Sequence, residues 1–359
     1  ATVYSAGAIG LYSEGEISNS TFTNNNAGGH DPADATDGGG ALYLGGWAQA
    51  TLKGNLFEGN SSNRGGAIGT TAGGISQYAY LRSTGDTFKN NTATKFGGAI
   101  FNQFATANNY VNDATFTGNK ADKYGGAIYN SGVLTVNNNN FTTNTADAGG
   151  AIFNGGNMDI TNSRFSNNTA SSFGGVLVVS DAKAAKDERG TAVTNITNSV
   201  FENNYADEGG VIFQNNATIK IDNSKFLNNK AGWMGVIEQA TPYPGPKDSA
   251  GKLIISNSEF TGNASEQWSA GAIGVFSEAE ISNTTFNNNS ILSDAHAEAR
   301  DGGGAIYVGG WGQLAVKDSS FTGNKGNRGG AIASTNEGQG TAEDPVAYIK
   351  LDNVTFADN

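Results

Sequence analysis

The chain has 359 residues, 52 of them Gly, with 37% hydrophobic residues, 15% charged residues and a formal net charge of −12. That charge argues against nucleic acid or an anionic membrane surface as a partner, and with no Cys thiol catalysis is excluded. No stretch of 18 apolar residues is present to span a bilayer as a helix, so no membrane insertion is expected within this segment.

From the N-terminus onward one phrase recurs. A short alternating segment leads to Phe-x-x-Asn, and a Gly-Gly-Ala-Ile tetrapeptide or close variant follows. The Phe-x-x-Asn motif begins at Phe22, Phe57, Phe88, Phe116, Phe141, Phe165, Phe201, Phe226, Phe260, Phe286, Phe321 and Phe356. The Gly motif runs from Gly39-Gly40-Ala41-Leu42 through Gly125-Gly126-Ala127-Ile128 to Gly329-Gly330-Ala331-Ile332. Segments such as NMDITNSRF, with Met158, Ile160 and Asn162 on one face, have period two and predict β-strands. A helical period is found nowhere.

The spacing of about 24 to 36 residues between successive Phe predicts an all-β fold. The expected architecture is a right-handed parallel β-helix (solenoid) of about 12 coils, three short strands per coil, stacked about 4.8 Å apart. In such a coil Phe141, Phe165 and Phe226 belong to an internal ring stack. Asn138, Asn162 and Asn223, three residues before those Phe, are expected to form a ladder of buried amides hydrogen-bonded from coil to coil. The Gly pair marks a sharp turn where a Cβ would clash.

A longer repeat overlies the coils. SAGAIGLYSEGEISNSTF at 5–22 returns as SAGAIGVFSEAEISNTTF at 269–286, an offset of 264 residues. We therefore expect one continuous β-helix over 1–359, with 5–268 as a module of about nine coils and 269–359 as the start of a second copy. Neither end reads as a cap, and the chain starts at Ala1 without a signal peptide. A piece of a larger exported protein is expected.

Taken together, the Gly-Gly-Ala-(Ile/Leu/Val) and Phe-x-x-Asn tetrapeptides make the chain resemble the passenger regions of the chlamydial polymorphic outer membrane proteins, and more widely bacterial surface adhesins and autotransporters. The resemblance covers the whole chain. It implies surface display, adhesion and export through a C-terminal membrane barrel.

Candidate binding residues come from two positions. After Gly-Gly-Ala-Ile stand Tyr43, Phe101, Tyr129, Phe153, Phe213 and Tyr307, which alternation sends outward if the aliphatic residue before them faces in. At coil turns stand Trp47 and its copy Trp311, and Trp233, which precedes a turn as Phe96, Tyr124 and Phe173 do. Loops at 26–38, 70–79, 180–192, 239–252, 290–301 and 334–347 are further recognition candidates. The acidic residues Asp86, Asp113, Asp159, Asp222 and Asp318 are scattered, so no catalytic residues are assigned. His30 and His296 lie at non-matching offsets, and no Ca²⁺ loop or phosphate-cradling motif is present, so neither metal nor cofactor is expected. The expected function is that of a non-catalytic extracellular adhesin or fibre segment on a bacterial cell surface. Its partner would be a receptor, a glycan or a copy of itself. The alternatives are a β-helical polysaccharide lyase or hydrolase, and a structural filament or sheath component.

Overall fold

The computed structural model describes residues 6–28, 38–71, 79–103, 108–180, 192–240, 251–293, 302–335 and 347–359. All its regular elements among these residues are strands, paired in parallel, and they wind a right-handed parallel β-helix of twelve coils. The chain divides into two compact units, Ala1–Ser171 and Ser172–Asn359.

One coil of the first unit shows the design. Ile128–Asn130 forms an Ile strand, Val133–Asn137 an alternating strand, Asn140–Thr142 a Phe strand and Thr145–Ala148 a short Ala strand. The next coil repeats them in register, with Ile128 beside Ile152, Val133 beside Asn157 and Phe141 beside Phe165. Three sheets thus carry six strands in each unit, as in the Ile sheet from Ile9–Leu11 to Ile152–Asn154 and from Leu177–Ser180 to Ile332–Ser334. The fourth sheet is an addition to the three strands expected. Several of its members, such as Lys120–Ala121, Tyr205–Ala206 and Lys230–Ala231, are only two residues long, too short to show as period-two runs in sequence.

Two left-handed residues bracket every Phe of the repeat. Around Phe141 they are Asn138 at φ 56° and Thr143 at φ 54°; around Phe57 they are Gly54 and Gly59, and around Phe116 Asp113 and Gly118. Asn, Asp and Gly tolerate this region best. The pair turns the chain sharply on both sides of a three-residue strand, so the coil can close in so few residues.

Inside, the rings stack. Phe141 and Phe165 are 4.7 Å apart and 8° from parallel, Phe226 and Phe260 are 4.6 Å apart and 3° from parallel, and these rings are fully buried. Burial of one such ring stabilises by roughly 1.5–3 kcal/mol. Beside the stack runs a ladder of buried Asn, but not the one expected. Asn138, Asn162 and Asn223 are exposed. Their amides do bond across coils, to Asp113, Asn137 and Asn198, but at the surface. The buried ladder is made by the Asn that ends each motif. Asn119 donates its side-chain amide to Asn144 Oδ1 and to the Phe88 carbonyl, and its backbone N–H to the same Asn144 oxygen, each at 3.0 Å. The left-handed residue between Phe and this Asn reverses the alternation, so the Asn points back into the coil. Asn138 is itself left-handed and therefore sits on the turn.

The first Gly of a pair is conformational, as at Gly125 with φ 68°. The second is steric. A Cβ on Gly126 would run into the carbonyl oxygen of Gly150 in the next coil.

Candidate functional site

Two columns of side chains run across the coils on the outer side of the Ile sheet. The first column holds the residue before each Gly pair. In the first unit these are Arg64, Phe96, Tyr124 and Ala148, aligned by parallel bridges. The second holds the residue after the aliphatic position: Gly69, Phe101, Tyr129 and Phe153, also in register. Ile128 and Asn130 flank Tyr129 and are fully buried while Tyr129 is half-buried, so the second column faces away from the coil interior.

The columns meet along diagonals. Phe96 lies 5.1 Å from Tyr129 in the next coil, and Tyr124 lies 4.8 Å from Phe153 in the coil after it. The Arg64 guanidinium sits 5.4 Å from both the Phe96 and Phe101 rings, within cation–π range. Within the second column Phe101, Tyr129 and Phe153 stack at 5.1 and 5.3 Å. The result is a second aromatic layer outside the coil, with Phe96, Tyr124, Tyr129 and Phe153 reaching solvent and Phe101 only 1% exposed beneath them. Burial raises the Tyr129 hydroxyl pKa, with the Arg64 charge opposing it.

Three of the six residues expected as an exposed stripe are therefore covered: Phe101, Tyr43 at 1% and Tyr307 at 4%. Alternation fixes direction but not what lies on top. Tyr43 is covered by Tyr12 at 5.9 Å and 59°, and Tyr307 by Phe276 at the same distance and angle, 264 residues later in each case. The Tyr307 hydroxyl also shares a 2.6 Å hydrogen bond with Thr335. Phe213 is half-buried against Phe173. Trp47 is 62% exposed at its turn, whereas its copy Trp311 is half-buried. Trp233 is half-buried and packs on Trp268 at 4.9 Å.

In the second unit the same columns change character. Phe173 and Glu208 are bridged in the first column, and Phe213, Glu238 and Gly274 are in register in the second. Phe173 meets Phe213 along the usual diagonal at 4.7 Å. One step on, Glu208 takes the place of a ring and so does Glu238, so the next diagonal joins two carboxyls. Glu238 is 4% exposed, and its Oε2 has no hydrogen-bond partner among the described residues. Burial, and after it the charge of Glu208, push its pKa well above the carboxylate range. Glu208 is itself raised by burial and by Asp207. The contrast is Asp86, also buried, whose carboxylate accepts from the Asn55 backbone at 2.7 Å, the Asn55 amide at 2.9 Å and Ser83 at 2.6 Å. Arg64, Glu208 and Glu238 were not expected at this surface. Their signal was columnar: each occupies a position that carries a ring in a neighbouring coil.

Most of the six loops, including His30 and His296, lie outside the described residues. Among the described residues no group of three acidic or His side chains could hold a metal ion, and no helix is long and apolar enough to cross a membrane.

Four stretches of the sequence, 19–45, 87–103, 113–131 and 283–309, match the Chlamydia polymorphic membrane protein repeat. The chain carries the polymorphic membrane protein repeat. The first and last of these stretches are equivalent 27-residue windows, offset by 264. Each of the four ends just beyond a second-column aromatic: Tyr43, Phe101, Tyr129 or Tyr307. Polymorphic membrane proteins are a family of surface-exposed outer membrane proteins, which places this repeat in a cell-surface setting in general terms. No curated protein and no solved structure matches the chain.

Proposed function

We propose that this chain is a non-catalytic segment of a surface-displayed passenger, and that its outer aromatic layer holds glycans of a neighbouring surface. The observation that carries this reading is the layer of Phe96, Tyr124, Tyr129 and Phe153, which reaches solvent beside the Arg64 cation. The coil needs none of these rings for its own core, which is already filled by the Phe stack and the Asn ladder. These rings stack on one another 4.8–5.3 Å apart across successive coils and turn an apolar ridge of ring edges to solvent, against which the apolar faces of sugar rings can pack, and an arginine supplies donors for hydroxyl or carboxylate groups. Coil-to-coil repetition suits a polymeric ligand, which can touch several rungs at once.

Binding to a glycan panel with simultaneous detection of shortened products tests this. Retention without turnover is expected. Depolymerised product would replace the reading with that of a β-helical polysaccharide lyase or hydrolase. Sedimentation addresses the reading as a self-assembling filament or sheath component: assembly that disappears when Tyr124, Tyr129 and Phe153 become Ser would assign the same rings to contacts between copies.

A further inference from the structure

The second unit interrupts its aromatic columns with acid. At four other places on this face the diagonal between columns joins ring to ring, or Arg64 to Phe101. Only at Glu208 and Glu238, among the described residues, does it join two acids, which become like charges when both ionise. Like charges placed together, one of them nearly buried, destabilise the fold unless something compensates them. Among the described residues nothing does so. The groups that act on Glu238 are its burial and Glu208, and those that act on Glu208 are its burial and Asp207; no described Lys or Arg contributes to either. Among the described residues Glu238 Oε2 has no donor.

The surroundings of the pair are aromatic. Phe213 is the cross-strand neighbour of Glu238, and Phe173, bridged to Glu208, packs on Phe213. Trp233 follows Glu208 in the first column, with Trp268 packed against it at 4.9 Å and tilted by 56°. On the far side the column holds Gly274, where a Cβ would meet the Met234 carbonyl, so the Met234 turn closes that end. Glu208 is half-buried and Glu238 lies deeper, which grades the site from solvent inward.

We propose that Glu208 and Glu238 form a binding site for an organic cation, specifically a protonated primary amine, held by the two carboxyls and faced by the rings of Phe173, Phe213 and Trp233. An ammonium group supplies three donors, enough for the unpartnered Oε2 and for Glu208, and its positive charge suits aromatic faces. A compact divalent ion fits less well, since no third acidic ligand converges there among the described residues. The residues of the site all belong to the second unit, and the proposal does not depend on the glycan reading.

The test uses the whole 359-residue chain and its Trp fluorescence, since Trp233 and Trp268 adjoin the site. Two amine probes separate a peptide source from a sugar source: Nα-acetyl-lysine methylamide and glucosamine. Nα-acetyl-norleucine methylamide and N-acetylglucosamine are their neutral counterparts. Saturable change with either amine and not with its neutral counterpart is expected, weakened about tenfold or more by Glu238→Gln or Glu208→Gln, as for loss of a charge-assisted contact. The Tyr124→Ser, Phe153→Ser variant should bind the amine unchanged. No saturable change, an equal response to the neutral probes, a response to Ca²⁺ alone, or full binding by the double Gln variant would each overturn the proposal. Both amides are near-isosteric with the acids, and circular dichroism reports whether the coil is intact. If Glu238→Gln failed to fold, Glu208→Gln, at the half-buried position, decides the question alone.

Discussion

The side-chain amide and the backbone N–H of Asn144 both donate to Asn168 Oδ1, each at 3.0 Å. Asn144 Oδ1 receives the same two bonds from Asn119, and the Asn144 amide also reaches the Phe116 carbonyl. One buried side chain thus takes part in four hydrogen bonds that link three coils. Asn144→Ala removes all four and leaves buried donors on Asn119 unpaired, at a cost on the order of 3 kcal/mol or more. Asn138→Gly keeps the left-handed turn and loses one exposed bond to Asp113, so its effect should stay within about 0.5 kcal/mol. Urea midpoints of the two variants check the contrast; equal destabilisation would show that the buried ladder is assigned to the wrong Asn.

Glycine positions separate in the same way. Gly126→Ala places a Cβ against the Gly150 carbonyl, a backbone atom that cannot move without opening the coil spacing. We expect it to abolish the folded state, seen as loss of β-sheet circular dichroism and of a compact elution volume. Gly85 has φ 67° with nothing within 4 Å of its Cβ position. Gly85→Ala should therefore cost only the left-handed strain of about 1–2 kcal/mol and still fold.

Glu238 gives a pH dependence of defined sign. Its folded-state pKa is raised well above the ordinary value of a glutamate carboxyl, by burial first and by Glu208 second. The folded chain therefore holds this proton more tightly than the unfolded chain does. The contribution is fully present below the unfolded value and is lost as pH rises from there through the folded value. Glu208, raised by burial and Asp207, acts in the same direction. Asp222, lowered by hydrogen bonds from Ser256 and Asn257, acts oppositely and loses its contribution on acidification. Glu238→Gln should raise the thermal midpoint at pH 8 and flatten its decline above pH 5. A variant no more stable than the parent at pH 8 would contradict the burial of an unpaired acid.

The coil itself was legible in the sequence because its residues repeat at fixed places: Phe141 and Phe165 announce the stack, and Gly125 and Gly126 the turn. The choice between Asn138 and Asn144 was not. Both recur three residues from Phe, and only the left-handed conformation of the intervening Thr143 decides which one turns inward. The outward direction of Tyr129 and Phe153 followed from alternation. The covering of Phe101 did not, because it depends on Arg64 and Phe96, which come from another part of the coil. Glu238 stayed hidden for a similar reason. In sequence it is an unremarked acid in IEQA, and only the rings that hold this position in other coils, Phe213 beside it among them, make it an exception.

The most direct measurement of the central claim compares glycan retention by the parent chain with that of the Tyr124→Ser, Phe153→Ser variant and of a Trp47→Ser control. Tyr124 and Phe153 form one diagonal pair of the outer layer, and Trp47 is exposed at a turn away from it. Loss of two rings should weaken binding by about tenfold or more, since the apolar contact area they bury against the ligand is lost. Trp47→Ser should bind like the parent. Binding unchanged by the double substitution, or abolished by Trp47→Ser alone, would contradict the assignment of function to the outer aromatic layer.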